Sequence, residues 1–470
     1  MMRMGILAAG VAAIAMTAMP MAAGAQARPD QKQFFDLYKQ LVETNTVVDV
    51  GSCTQAAAQI GARLKAAGYG DADLTLFSVP DHPKDGGIVA ILKGSDARIK
   101  PMLLLGHLDV VAAKREDWTR DPFTLIEENG YYYARGTVDD KAMAAVWADT
   151  MIRLKQAKTP PKRTIKMALT CGEETTFAFN GAEWLAKNKP DLIAAEFVLN
   201  EGGGGRLDAN GKRELLAVQV GEKAAQNYTF LATNPGGHSS QPTPENAIYE
   251  LADAVKAVQG YEFPIHLTDT TRAFLTATAQ KVGGQLGDSI TRLLANPEDK
   301  AADAIVSQDK ALHSTLRTTC VATLLQAGHA ENALPQRATA NINCRIFPGH
   351  KPADIMAELG RVIDDPGVKL EDVSEGSVPN DASPMRPDFI AAIDRAMGKV
   401  YPGVPVFPAM ASGASDSMWF RYHHVPSYGA SPTFIKPSED FSHGLNERTP
   451  ISTIEPGIRY YRLLFADLSK

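Results

Sequence analysis

The sequence predicts an α/β fold, a layered array of strands and helices with a second, α+β domain inserted into it. Three observations carry this. Short apolar runs alternate with helical periods from residue 30 to about residue 200. Three of those runs end in polar clusters: Gly106-His107-Leu108-Asp109, Cys171-Gly172-Glu173-Glu174 and Asn200-Glu201-Gly202. Near residue 205 the pattern changes to antiparallel-strand and helix signals, and helical periods return from Asp388. The resulting division is 28–217 with 379–470 for the discontinuous main domain and 218–378 for the insertion. At 470 residues, 44 % apolar and 22 % charged, the chain has ample core for both.

Residues 30–44 and 54–68 have amphipathic helical spacing, 88–92 is a short strand and 101–105 a buried one. A helix over 142–154, a strand over 164–170, a helix over 181–188 and a strand over 197–199 complete the first part. In the insertion, 215–220 and 227–233 read as antiparallel strands joined through a Gly/Lys turn. A helix over 247–258, a mostly helical stretch over 268–312, strands over 318–326 and 337–346 and a helix over 352–364 follow. Helices over 388–400 and 451–468 end the chain. In open α/β sheets ligands bind beyond the carboxyl ends of the strands, which is where the three polar clusters fall.

The first residues read as an export leader, 1–25: Arg3, the apolar run 5–19, and Ala23-Gly24-Ala25 as a small-x-small cleavage site. The apolar run is short for a membrane span, which needs about 20 residues, so no stable membrane insertion is expected. A leader of this kind predicts a periplasmic protein. Lys plus Arg number 48 against 54 Asp plus Glu, a net charge of −6. That balance lacks the footprint of a nucleic-acid binder. Export permits disulfides among Cys53, Cys171, Cys320 and Cys344. Cys320 and Cys344 flank a turn near Asn332 at equal distances and are placed to face across a hairpin. Independent buried thiols are the preferred reading of the four.

Each chemistry-bearing piece also has a bland reading. His107 and Asp109 suit a ligand imidazole steadied by a carboxylate, or a structural His–Asp contact. Asp139 and Asp140, in Arg135-Gly136-Thr137-Val138-Asp139-Asp140-Lys141, suit helix capping as well as ligation. Glu173 and Glu174 repel each other unless a cation compensates them; surface acids would be solvated. Glu201 precedes four glycines that allow close backbone approach or a flexible turn, and alone reads equally as a loop acid. His443 alone is a loop histidine. Together, two His and several carboxylates suit zinc or a harder divalent ion. No G-x-S-x-G elbow supports a serine hydrolase.

In order, GHLDVV (106–111), DPF…YYYARGTVDDK (121–141), GEE (172–174), NEGG (200–203), GGHSS (236–240), NALP (332–335), NCRIFPG (343–349) and SHGLNE (442–447) resemble the co-catalytic di-zinc metallopeptidases of the aminoacylase-1, carboxypeptidase S and glutamate carboxypeptidase group. NEGG and the helical stretch in the insertion look closest to carboxypeptidase S-like members. The resemblance implies a zinc-peptidase-like mixed sheet flanked by helices, with an inserted α+β lid and dimerisation domain. It implies two Zn²⁺ per chain, with Co²⁺ or Mn²⁺ as substitutes. His107 and Glu201 would hold one ion, Glu174 and His443 the other, and Asp139 would bridge them. Asp109 would orient His107. Glu173 would be the general base, moving a proton from a metal-bridging water to the leaving amine.

His238 resembles the lid histidine that helps stabilise the tetrahedral oxyanion, contributed by the partner subunit in dimeric members. Asn332 and Arg345 resemble the residues that grip a substrate carboxylate. Gly413 and Ser415 resemble part of a substrate loop, with Ala414-Ser415 where a Gly-Thr pair is common. Ala142 stands where many members have Gly after the motif Lys. The implied activity is exopeptidase, of carboxypeptidase or dipeptidase type, with N-acyl-amino-acid amidohydrolysis as the alternative. A non-catalytic metal-binding protein would not need Glu173. A small peptide or N-acyl amino acid is the implied partner, and a homodimer through the lid is left open, because the 268–312 extension falls where it would cover a dimerising surface.

Overall fold

A computed structural model describes residues 29–157, 160–175, 179–439 and 441–470; the leader expected over 1–25 lies outside them. The main sheet is mixed. At its centre Met102–His107 runs parallel to Ile165–Thr170 on one side and to Phe197–Asn200 on the other. The hairpin of Leu74–Val79 and His82–Leu92 extends one edge antiparallel. Ser427–Gly429, Arg213–Glu222, Gly204–Leu207 and Phe434–Ile435 extend the other, and Val406–Ala411 pairs with Arg213–Glu222.

The three central strands read as continuous apolar runs because both their faces are covered. Met102, Leu104, Met167 and Leu199 pack beneath the helices Pro29–Glu43, Cys53–Ala66, Lys141–Gln156, Pro387–Val400 and Ile451–Leu468. Leu103, Leu105, Ala168 and Val198 face the opposite layer, with Gly181–Asn188 and Ser417–Tyr422. Trp147, fully buried, donates its indole N–H to the Leu105 carbonyl at 2.7 Å and locks its helix to the sheet. Register pairs His107 with Thr170 and Leu104 with Leu199. All three strands therefore deliver their polar ends to one edge.

The second sheet is antiparallel, in the order Thr319–Ala327, Arg337–Ile346, Ala224–Thr233 and Val368–Asp372. Helices Ala247–Gly260 and Pro352–Ile363 cover one face. The helices Asp269–Val282, Gly284–Ala295, Lys300–Val306 and Lys310–Leu316 have a small core of their own. Asp269–Val282 lies against Val406–Ala411 of the main sheet. The helical extension thus covers the main domain and leaves the edge strand Thr319–Ala327 open, with Val321, Leu324 and Leu325 exposed.

Two expectations are corrected. The strands over 215–220 and 227–233 do not pair with each other. Arg213–Glu222 belongs to the main sheet and Ala224–Thr233 to the small one, and the chain crosses between them at the buried Lys223. Alternating apolar residues identify a strand but not its neighbour. The cysteines are not independent thiols: Cys53 is bonded to Cys171, and Cys320 to Cys344. Cys320 and Cys344 are direct cross-strand partners, the hairpin geometry the spacing allowed. Cys53 and Cys171 lie 118 residues apart, and only the packing of the Cys53–Ala66 helix on the sheet brings them together. Among the described residues no helix is long and apolar enough to cross a membrane.

Closing so long a loop predicts that Cys53→Ser with Cys171→Ser destabilises the protein by about 2–4 kcal/mol. Urea unfolding without reductant measures this, and an unchanged midpoint would mean that the two sulfurs are not bonded.

Candidate active site

At the shared strand edge, His107 is 1 % exposed. Its Nδ1 lies 3.1 Å from the Asp109 carbonyl and 3.6 Å from that residue's carboxylate. The carboxylate is turned towards the following loop, where Oδ2 accepts the Glu174 N–H at 2.9 Å. His107 Nε2 faces Asp139 Oδ1 at 3.2 Å and Glu201 Oε2 at 3.7 Å. On the other side of Asp139, Oδ2 lies 3.0 Å from His443 Nε2, which is also 3.0 Å from Glu174. Asp139 thus offers one oxygen to each imidazole. Three overlapping triads result, His107–Asp139–Glu201, Asp139–Glu174–His443 and His107–Glu173–Glu174, with ligand atoms within 4.8 Å of one another in each.

The electrostatics call for cations. Burial opposes charge on His107, yet Glu201, Asp109 and Asp139 overcome it and hold its pKa well above the ordinary value. His443 is pushed up to about 10, first by its hydrogen bonds to Asp139 and Glu174. In the bare chain this acid cluster favours the charged form of both imidazoles. Burial, then Glu201, keeps Glu173 well above the usual carboxylate range, with Asp416 and Glu174 adding to the rise. Among the described residues the Glu173 side chain has no hydrogen-bond partner, and the buried Asp109 Oδ1 and Asp140 Oδ2 have none either. Imidazole and carboxylate donors in two triads that share Asp139 fit a pair of divalent ions.

Capping does not account for the Asp pair. Asp140 precedes the helix Lys141–Gln156 but makes no capping bond, and Asp139 faces the histidines. What holds Asp139 is Glu447. Its buried carboxylate accepts the N–H groups of Gly136, Val138 and Asp139 at 3.1, 2.8 and 3.2 Å. It also receives Arg135 Nη1 at 2.7 Å, while Arg135 Nη2 reaches the His443 carbonyl at 3.3 Å. Sequence reasoning singled out neither residue for a role, because an acid in a loop reads as solvated. Asp416 was also missed. Burial raises it to about 7, and it anchors the strand end through Asn180 at 2.6 Å and Thr170 at 3.2 Å. Its place in the Ser412–Ser417 loop was the available signal.

The remaining candidates are not in this cluster. His238 is exposed on a two-residue ribbon, Gly237–His238 paired with Ala333–Leu334, with Nδ1 2.8 Å from Ser240 Oγ. The same ribbon carries Asn332, whose carbonyl accepts the Ser239 N–H at 3.1 Å. Among the described residues neither touches the His107 cluster. Arg345 is half-buried on Arg337–Ile346 and has no acidic partner among the described residues. Gly413 is exposed with open space around it. Ser415 is buried and donates its hydroxyl to Glu222 at 2.7 Å, so it shapes the loop from inside. The glycines after Glu201 serve close approach: Gly203 has φ +69°, and a Cβ there would lie 2.4 Å from the Ala217 carbonyl.

Glu447→Gln would leave Arg135 buried without its charge partner and slacken the loop bearing Asp139. Metal affinity, read by competition with a chelator, is expected to fall about 10–100-fold, the usual effect of removing a residue that orients a ligand. Unchanged affinity in a folded variant would show that Asp139 is positioned without it.

A profile of peptidase family M20/M25/M40 matches residues 103–467. The chain is 28 % identical over 386 residues to the human N-fatty-acyl-amino acid synthase/hydrolase PM20D1, covering 78 % of this chain and 74 % of that protein. It is also 28 % identical to the probable carboxypeptidase S-like 2 of Dictyostelium discoideum, covering 80 % and 73 %. An M20 metallo-carboxypeptidase from Sulfolobus solfataricus superposes with a TM-score of 0.69 over 93 % of this chain and 99 % of that one, at 19 % identity. The sheet with its helices, and the separate antiparallel sheet, are the fold they share. With its strand-edge cluster and a profile match over most of its length, the chain belongs to peptidase family M20/M25/M40.

Proposed function

We propose that this chain is an exported, two-zinc exopeptidase that cuts the amide bond next to a free α-carboxylate. The observation that carries the reading is the division of labour in the cluster: Asp139 faces both histidines, while Glu173 lies beside them with no hydrogen-bond partner among the described residues. His107, Asp139 and Glu201 would hold one ion, and Asp139, Glu174 and His443 the second. Zinc at these positions supplies Lewis acidity towards the scissile carbonyl and acidifies water. Glu173 takes a proton from the attacking water and delivers it to the leaving amine nitrogen. Bound cations would offset the burial and the Glu201 charge that raise its pKa in the bare chain, leaving it able to accept that proton.

Arg345, without an acidic partner among the described residues, is the group to receive the substrate carboxylate bidentately, with Asn332 as a second contact. His238 stabilises the oxyanion once the lid ribbon meets the cluster, from this subunit or from a second copy. The open edge strand Thr319–Ala327, with its exposed Val321, Leu324 and Leu325, supports a homodimer through the lid. The leader signals of residues 1–25 and the two disulfides support a periplasmic location.

Glu173→Gln is expected to keep about two zinc ions per chain, while turnover of dipeptides and N-acyl amino acids falls by about 10²–10⁴-fold. Zinc analysis alongside rates on that panel decides it; retained turnover would remove Glu173 from the chemistry, and absence of metal would remove the site. Arg345→Ala is expected to lower kcat/KM by roughly thirtyfold or more through loss of a charge-assisted grip worth about 2 kcal/mol or more. The loss should vanish for substrates whose carboxylate is amidated, which are poor for both proteins. Equal losses on both substrate types would place Arg345 elsewhere in the mechanism.

A further inference from the structure

The chain crosses between the two domains twice, and one side chain of the main domain reaches both crossings. The outgoing chain leaves the strand Arg213–Glu222 and enters Ala224–Thr233 after Lys223 alone. The returning chain meets the main domain at Ser383, whose N–H donates to the Val220 carbonyl at 2.6 Å. The crossings run side by side: a Cβ on Gly221 would lie 3.1 Å from that of Ala382. Arg421, buried in the helix Ser417–Tyr422, places Nη1 3.1 Å from Glu222 Oε1 on the outgoing chain. Its Nε donates to Ser383 Oγ on the returning chain at 3.2 Å, and its Nη2 to the Ser427 carbonyl at 2.9 Å.

The other oxygen of Glu222 faces the ligand loops. Oε2 accepts Gln219 Nε2 at 3.0 Å and the Ser415 hydroxyl at 2.7 Å. The Gln219 side-chain carbonyl accepts the Gly203 N–H at 3.3 Å, in the turn that follows Glu201. The two residues after Ser415 hold the neighbouring strand ends. Asp416 accepts the Thr170 hydroxyl at 3.2 Å, upstream of Glu173, and Asn200 donates to Ser417 Oγ at 3.1 Å, just before Glu201. Glu222 therefore stands between the domain crossings and the loops that carry Glu173 and Glu201. Burial holds its pKa above the usual carboxylate value, and the Arg421 charge is the largest influence opposing that rise. Among the described residues neither Glu222 Oε1 nor Arg421 Nη1 has a hydrogen-bond partner, so what joins them is charge.

Arg345 and His238 belong to the inserted domain and Glu173 to the main one, so an amide held by both is aligned at one setting of the lid. We infer that Glu222 and Arg421 are positioning residues for the cleavage reaction: they clasp both crossings to the loops beside Glu173 and Glu201 and so fix that setting. This rests on the amide-hydrolase reading above. Neither residue is in a ligand triad. With the clasp broken, Arg345 still receives the carboxylate but the amide is misplaced, and a displacement of about 1 Å costs about a hundredfold in rate. The loss falls on kcat rather than KM, and on the substrates that Arg345 holds.

The test compares the wild type, Glu222→Gln and Ser383→Ala, all zinc-loaded, on Ala-Leu, N-acetyl-leucine and their carboxyl-amidated forms. Glutamine keeps an oxygen for Ser415 and Gln219 and loses the charge that faces Arg421. On free carboxylates Glu222→Gln should lower kcat by about tenfold or more with KM within about threefold, while the amidated forms change by less than about threefold. Ser383→Ala, which removes the contact on the returning chain, should act in the same direction and replaces Glu222→Gln should that variant fail to fold by circular dichroism. A second readout needs no turnover. All four cysteines are bonded, so Lys93→Cys with Lys369→Cys, exposed on the main domain and the lid, supplies two unique thiols for spin labels. The label–label distance, read in chains diluted with unlabelled protein, should shift or broaden in the clasp variants. Equal losses on free and amidated substrates, a change in KM alone, unchanged rates, or an unchanged distance in a folded variant would overturn the inference and leave the hydrolase reading standing. If the wild type turns over no amide, the hydrolase reading falls, and the distance alone then decides whether the clasp sets the lid.

Discussion

The site depends on one buried carboxylate. Glu447 gathers the N–H groups of Gly136, Val138 and Asp139 and the Arg135 guanidinium, and Arg135 in turn holds the His443 carbonyl. Residues more than three hundred positions apart are thereby held together, with Asp139 on one side and His443 on the other. Burial raises this acid's pKa above the usual carboxylate value, and its hydrogen bonds and the Arg135 charge offset only part of that rise. Removing one partner from a buried pair of this kind typically destabilises by about 3–5 kcal/mol. The placing of Asp139 and His443 in the second triad thus depends on a pair that is not itself part of any triad.

Around that anchor, the parallel strands provide depth and the loops provide chemistry. His107 is held by its own strand and by the Asp109 carbonyl, and the Asp109 carboxylate reaches across to the Glu174 amide. Cys171, just upstream, is tied to the Cys53–Ala66 helix. The loop with the paired acids is therefore restrained at both the sulfur bridge and the amide. Rigid support of this sort lets several acids stay close without the loop relaxing to separate them.

Much of this was legible in the sequence because buried parallel strands write themselves as unbroken apolar runs, and residues that follow such runs share an edge. His107, Glu173, Glu174 and Glu201 were readable for that reason, and the antiparallel pairing of Cys320 with Cys344 was open to the spacing. Other features have no local signature. The meeting of Cys53 and Cys171 is set by how a helix packs. The crossing between sheets at Lys223 depends on which neighbour each strand finds. The strand Val406–Ala411 carries Pro408 and small residues and is tolerated because it lies off the main path of the sheet. Glu447 and Asp416 look like ordinary loop acids until burial reveals what they hold.

The order in which the proposed ligands come off the ribosome has a consequence. His107, Asp139, Glu174 and Glu201 are made early, but His443 and Glu447 appear only after the whole inserted domain has been translated. The helix Ile451–Leu468, which completes the main core, follows them. At about 5–20 residues per second, a nascent chain carries four of the five proposed ligands throughout the synthesis of 202–442. A chain cut short before residue 443 would have no His443 to complete the triad with Asp139 and Glu174.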